Sequence, residues 1–155
     1  KGIIELLEAE KIWNRNITLV IIGSGPLQDY IKKKEIKSDH LIFLDKIDND
    51  QLPVYYSAAD LVIIPSVSEE GFGRVILESL ACGTPVVGSN RGAIPEAMDE
   101  TVGKLIDVSP QNIKSSVEYL YGNQSQLRLF SKRARKFASN RFSERNIRTI
   151  IESYQ

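Results

Sequence analysis

The segment 65–88, PSVSEEGFGRVILESLACGTPVVG, constrains the fold more than any other part of the chain. An unbroken apolar run, Leu61-Val62-Ile63-Ile64, precedes it and reads as a short buried strand. A loop bearing Gly71 and Gly73 follows, then residues 74–82 with helical spacing, then Gly83-Thr84-Pro85 as a stop. Val86-Val87 open the next strand. A strand, a glycine loop and a helix starting directly behind it form an anion site. The glycines allow close backbone approach, and the helix N-terminus presents unpaired N–H groups to a phosphate. Glu70 stands in the loop and Glu78 lies inside the helix.

The rest of the chain extends the same alternation. Residues 1–13 carry apolar side chains at helical spacing with Glu5, Glu8, Glu10 and Lys11 outward. Residues 17–22 read as a strand ending in Gly23-Ser24-Gly25-Pro26, with Pro26 opening a helix to residue 35. Strand 41–44 and a helix over 49–57, capped by Asp48 or Asn49, lead into the central unit. Beyond it come a short helix after the loop 90–96, a strand near 102–106, and helices over 110–121, 125–139 and 143–154. Five strands alternating with helices through short connections predict a Rossmann-like α/β fold. Its parallel sheet is doubly wound in three α/β/α layers, with ligands at the carboxyl ends of the strands.

At 155 residues, 42% apolar and 26% charged, one soluble domain is expected. No apolar run approaches the ~20 residues of a membrane helix. A single cysteine, Cys82, excludes an internal disulfide and suits a reducing compartment; it reads as a small core residue. With one histidine, His40, the chain offers no His/Cys metal cluster and no Cys/His or Ser/His/Asp constellation. Net charge is zero, yet residues 111–155 hold 9 Lys/Arg against 3 Asp/Glu. That basic face suits an anionic membrane surface, a solvated helical face being the plainer reading. No interleaving of aromatic and basic residues points to nucleic acid.

Glu70-Gly71-Phe72-Gly73 with Glu78, followed by Ala81-Cys82-Gly83-Thr84-Pro85-Val86-Val87, resembles the E-x7-E signature of retaining glycosyltransferases of GT-B fold, in particular family four, the group 1 glycosyltransferases. The resemblance covers nearly the whole chain. It implies the C-terminal, donor-binding half of such an enzyme, which transfers a sugar from a nucleotide-diphosphate sugar (UDP or GDP) to an acceptor hydroxyl. The acceptor, a sugar or lipid-linked glycan, would be held by an N-terminal domain absent here. In the family the first strand lies just before a Lys-Gly pair that Lys1-Gly2 matches, so that strand is expected to be missing too. Neither metal nor other cofactor is implied, and a cytoplasmic protein, peripheral at the inner membrane face, is expected.

The resemblance also implies roles. Glu78 would accept hydrogen bonds from the ribose hydroxyls, a carboxylate having acceptor sites for both; a salt bridge to Arg74 is the alternative. Glu70 would be the catalytic residue beside the anomeric centre, though Glu69 competes and either could simply complement the helix N-terminus. Gly71, Phe72, Gly73 and Arg74 would line the donor site, offering backbone N–H groups to sugar and diphosphate, and Lys1 would pair with the diphosphate. Gly23 and Gly25 match the G-x-G-P loop, and Lys46 and Ile47 follow the strand where the family recognises the base. Gly92-Ala93-Ile94-Pro95-Glu96 resembles the family's G-G-x-P-E.

Three other readings stand beside this one. A GT-B epimerase would generally lack the EGFG-to-Glu78 pattern. A dinucleotide-binding oxidoreductase would use Gly23-x-Gly25 with Asp45 as the ribose acid, but Gln28 occupies the third glycine position. A non-catalytic nucleotide-binding module is the third.

Overall fold

The computed structural model describes residues 1–14, 16–69, 71 and 73–142. In chain order the elements are α1 (Ile3–Glu10), β1 (Leu19–Ile22), α2 (Gln28–Glu35), β2 (Leu41–Leu44), α3 (Leu52–Ala58) and β3 (Val62–Ile64). They continue as α4 (Arg74–Ala81), β4 (Val86–Ser89), α5 (Ile94–Ala97), β5 (Gly103–Ile106), α6 (Pro110–Gly122) and α7 (Gln124–Phe142). All five expected strands form, and every pairing is parallel. The helix expected over 143–154 lies outside the described residues.

The strands fall into two sheets, β1–β2 and β3–β4–β5, where the sequence predicts one. Both share a core. Leu19, Ile21, Leu41 and Phe43 from the first pair with Val87 and Ile106 from the second. These pack with Leu6, Leu7 and Trp13 from α1 and its end, and with Ile113, Val117 and Leu120 of α6. The opposite face of the second sheet turns Val62, Ile64, Val86 and Leu105 onto Ile76 and Leu80 of α4, Ile94 and Met98 at α5, and Ala134 and Ala138 of α7. Adjacent residues Val86 and Val87 thus enter different cores, the period of two that a pleated strand dictates. All four β4 residues are buried, as a strand covered on both faces should be. Among the described residues no helix is long and apolar enough to cross a membrane.

Local chemistry shifts two helix starts. Pro26 does not open α2. It sits inside a turn closed by Gln28 N–H donating to Gly25 O at 3.0 Å, and its fixed φ serves the turn. Neither Asp48 nor Asn49 caps α3, because Gln51 N–H turns back to Asp48 O at 3.0 Å and Pro53 then sets the first helical turn. Cys82, expected in the core, is only half-buried at the end of α4.

A Cβ on Gly103 would lie 1.9 Å from Val86 O of the neighbouring strand, whereas one on Gly122 would meet nothing within 4 Å. Gly103→Ala should therefore lower stability by about 2–4 kcal/mol, and Gly122→Ala should change it by at most about 1 kcal/mol. Urea unfolding midpoints of the two variants check this.

Candidate donor site

Helix α4 begins at Gly73, whose φ of 67° and ψ of 39° place it in the left-handed region. A Cβ there would approach Ile76 Cδ1 to 3.1 Å, so glycine is required by both conformation and space. Among the described residues no side chain caps this helix, and the N–H groups ahead of Ile76, whose own N–H donates to Gly73 O at 2.8 Å, face the loop from β3. Gly71 stands open in that loop. Glu70 and Phe72 lie outside the described residues.

Glu78 sits in the second turn of α4 with its side chain 40% exposed. The alternative partner suggested by the sequence is present but weak. Arg74 Nε is 3.8 Å from Glu78 Oε1, and the arginine side chain is 76% exposed, so solvent screens the pair. A stronger partner comes from another helix: the hydroxyl of Tyr56, on α3, donates to Glu78 Oε2 at 3.0 Å. Partial burial, with the Glu78 hydrogen bond adding to it, pushes the Tyr56 phenol well above its ordinary 10.0. It is therefore a protonated donor at any physiological pH.

The register of α3 against α4 is itself fixed. Thr84 Oγ1 donates to Tyr56 O at 2.6 Å, satisfying a carbonyl at the C-terminal end of α3. Ser79 Oγ, from α4, donates to Thr84 O at 2.9 Å, and Thr84 N–H returns to Ser79 O at 3.0 Å. Ser79 and Thr84 are both buried. The Gly83-Thr84-Pro85 stop is thus also a clasp that sets Tyr56 opposite Glu78.

The other expected residues gather at the same end of the strands. Gly2, with φ 70°, packs so tightly on Pro65 that a Cβ would fall 1.7 Å from Pro65 O, which brings the exposed Lys1 to the end of β3. Gly23 and Gly25 follow β1, and Gly23 N–H donates to Leu44 O at 3.1 Å, joining that loop to the end of β2, where Lys46 and Ile47 emerge. Lys46 is exposed and Ile47 half-buried. Arg91, read from the sequence only as part of a loop, reaches back with Nη1 to Val67 O at 3.4 Å in the loop that leads to Gly71.

Asp45, the acid a dinucleotide site would need, is engaged instead by Gln28 Nε2 at 2.7 Å and Lys32 Nζ at 3.3 Å. Among the described residues no three His, Cys, Asp or Glu side chains group as metal ligands. Two surface recesses, one of about 260 Å³ by Ser57, Cys82 and Ser131 and one of about 390 Å³ by Lys132 and Phe137, lie away from Glu78. The candidate site is an open surface at the carboxyl ends of the strands, where parallel sheets bind ligands.

This fold and site define a Rossmann-like α/β domain with an open site at the carboxyl ends of its strands, and comparison with known proteins gives the family. The model of the glycosyl transferases group 1 matches residues 1–137. An uncharacterized glycosyltransferase of Methanocaldococcus jannaschii is 42% identical over 117 residues, 72% of this chain and 30% of its own length. The crystal structure of Anabaena HepE in complex with UDP and glucose superposes with a TM-score of 0.87 at 27% identity, over 99% of this chain and 44% of that one. The C-terminal domain of a group 1 family glycosyl transferase from Francisella tularensis (LpcC) superposes with a TM-score of 0.79 at 27% identity, over 92% of this chain and 80% of that one. The chain belongs to the group 1 glycosyl transferases. It spans about a third of the length of the archaeal relative.

Two outcomes test the clasp and its tyrosine. Thr84→Val, which removes the shorter of two hydrogen bonds to the Tyr56 carbonyl and leaves only that from Ala59 N–H at 3.3 Å, should cost about 1 kcal/mol in urea unfolding. Because the Tyr56 pKa is raised on folding, its contribution to stability is complete below pH 10.0 and declines as pH rises beyond. Tyr56→Phe should therefore show a shallower loss of stability above pH 10 than the parent, measured as unfolding midpoint against pH.

Proposed function

We propose that the chain is the donor-binding domain of a retaining glycosyltransferase, and that it holds a nucleotide-diphosphate sugar at the glycine-capped start of α4. The observation that carries this reading is Glu78, half-buried on α4, anchored by Tyr56, one helical turn behind a helix N-terminus that no described side chain caps. The carboxylate is suited to the ribose hydroxyls, and the N–H groups ahead of it to the diphosphate. The UDP and glucose named with the HepE structure support a UDP-sugar. The Francisella domain supports the reading of this chain as a C-terminal half.

In this proposal the whole enzyme passes the sugar to an acceptor hydroxyl, a sugar or lipid-linked glycan held by an N-terminal domain. The E-x7-E pattern supports retention through a front-face route. The departing diphosphate takes the acceptor proton as an oxocarbenium-like sugar forms between them, with Glu70 beside the anomeric carbon. Lys1, Gly71, Phe72, Gly73 and Arg74 meet the charge that grows on the diphosphate, and Gly23, Gly25, Lys46 and Ile47 line the way to the base. The chemistry asks for no divalent metal. Without the acceptor domain the chain binds donor but does not turn over. A strand ahead of Lys1 joins β1 to β3, a reading supported by the break between the two sheets and the seating of Gly2 on Pro65. The basic residues of α7 (Arg128, Lys132, Arg133, Arg135, Lys136 and Arg141) support a cytoplasmic protein resting on an anionic membrane face.

Calorimetric titration with UDP, GDP, ADP and NAD is the test. One nucleoside diphosphate should bind, at least about tenfold more weakly to Glu78→Ala, and with unchanged affinity in EDTA. NAD binding indifferent to Glu78 would overturn the reading, as would loss of nucleotide binding on chelation for its metal-free part. Appreciable sugar transfer by this chain alone would refute its inactivity.

A further inference from the structure

Glu78 has three rotatable side-chain bonds and 40% exposure, so the helix alone does not dictate where its carboxylate points. Its nearest cation does not dictate it either, since Arg74 Nε stands 3.8 Å from Oε1, beyond hydrogen-bond reach, on a largely exposed side chain. The Tyr56 hydroxyl is different. It lies 3.0 Å from Oε2, on a ring that is half-buried and carried by a helix whose end is clasped to α4 through Thr84 and Ser79.

We infer that Tyr56 is a positioning residue of the donor site: by holding Oε2 of Glu78 it fixes the carboxylate plane and leaves Oε1 directed for the ribose diol. The inference rests on the donor-site reading above. A tyrosine suits the task for physical reasons. It has only two side-chain torsions, so little freedom remains once its ring is packed, and its single O–H donates close to the plane of that ring. It brings no charge, so the carboxylate keeps its full acceptor strength toward a hydroxyl ligand. A lysine or arginine in its place would neutralise the acceptor, and the weak Arg74 contact leaves that strength intact. The upward shift of the phenol keeps the proton on Tyr56 and the role of donor one-directional. A pre-oriented carboxylate binds a diol without first giving up rotamer freedom, an advantage of about tenfold in affinity.

Tyr56 never touches the nucleotide in this scheme, so its effect must pass through Glu78 and must depend on the ribose hydroxyls. The experiment follows from that. UDP, GDP and ADP, and the 2′,3′-dideoxy form of whichever binds, are titrated into the protein, Tyr56→Phe, Glu78→Ala and the double variant. Tyr56→Phe should weaken the parent nucleotide about five- to tenfold and change the dideoxy form less than twofold. In the Glu78→Ala background it should have no further effect on either. Tyr56→His, which keeps a ring donor, should recover part of the discrimination, and it serves as the primary probe if the phenylalanine variant does not fold. Parent-like binding by Tyr56→Phe, equal losses for both nucleotides, or additive losses in the double variant would overturn the inference and leave the donor site standing. A parent protein that binds none of the three nucleoside diphosphates would overturn the donor-site reading and this inference together.

Discussion

The structure depends on the burial of β4. Its four residues have no access to solvent on either face, so every backbone group in it must be met by β3 and β5, and its side chains must serve two cores at once. Val86 and Val87 do this by simple alternation, each fully buried and worth about 1.5–3 kcal/mol against exposure. The helices α4, α5 and α7 on one side and α1 and α6 on the other are then held at fixed heights along the strands. Because the strands are parallel, their carboxyl ends come level, and the loops after β3 and β4 can meet there, as Arg91 and Val67 do.

Within that frame, one short stretch carries two duties. Gly83-Thr84-Pro85 ends α4 and turns the chain into β4. Thr84 also reaches across to the last turn of α3. The same residues that deliver the chain to the centre of the sheet therefore set the spacing of two neighbouring helices. The consequence is felt at Tyr56, whose own carbonyl Thr84 holds, and at Glu78, next to Ser79. Positional accuracy at the candidate site derives from a buried hydroxyl rather than from the loop that would contact ligand.

Much of this was legible in the sequence. Short runs rich in apolar residues gave all five strands within two residues of their ends, although only β4 is buried at every position. The alternation with helices gave the parallel pairing. Glu78 and Gly73 were legible because a motif marks them. Tyr56 was not: 22 residues separate it from Glu78, and a tyrosine on a short helix carries no local sign of its partner. The division into two sheets was equally hidden, because nothing local records that the consecutive strands β2 and β3 do not pair. The misjudged starts of α2 and α3 share one cause. Proline stabilises a turn and a first helical turn through the same φ, so its presence alone does not separate the two.

The seam between β1–β2 and β3–β4–β5 leaves room in the hydrogen-bond ladder for one more strand. Across it the two sheets are held by side chains (Leu7, Trp13, Val87 and Ile106 among them) and by no backbone ladder between β1 and β3. Apolar contacts are short-ranged and tolerate sliding, whereas a ladder of hydrogen bonds does not. In the whole enzyme proposed above, a strand ahead of Lys1 seats in this seam and pairs with both β1 and β3, so the two sheets become one ladder. That strand would set the loops proposed to reach the base, those after β1 and β2, at a fixed height against the start of α4.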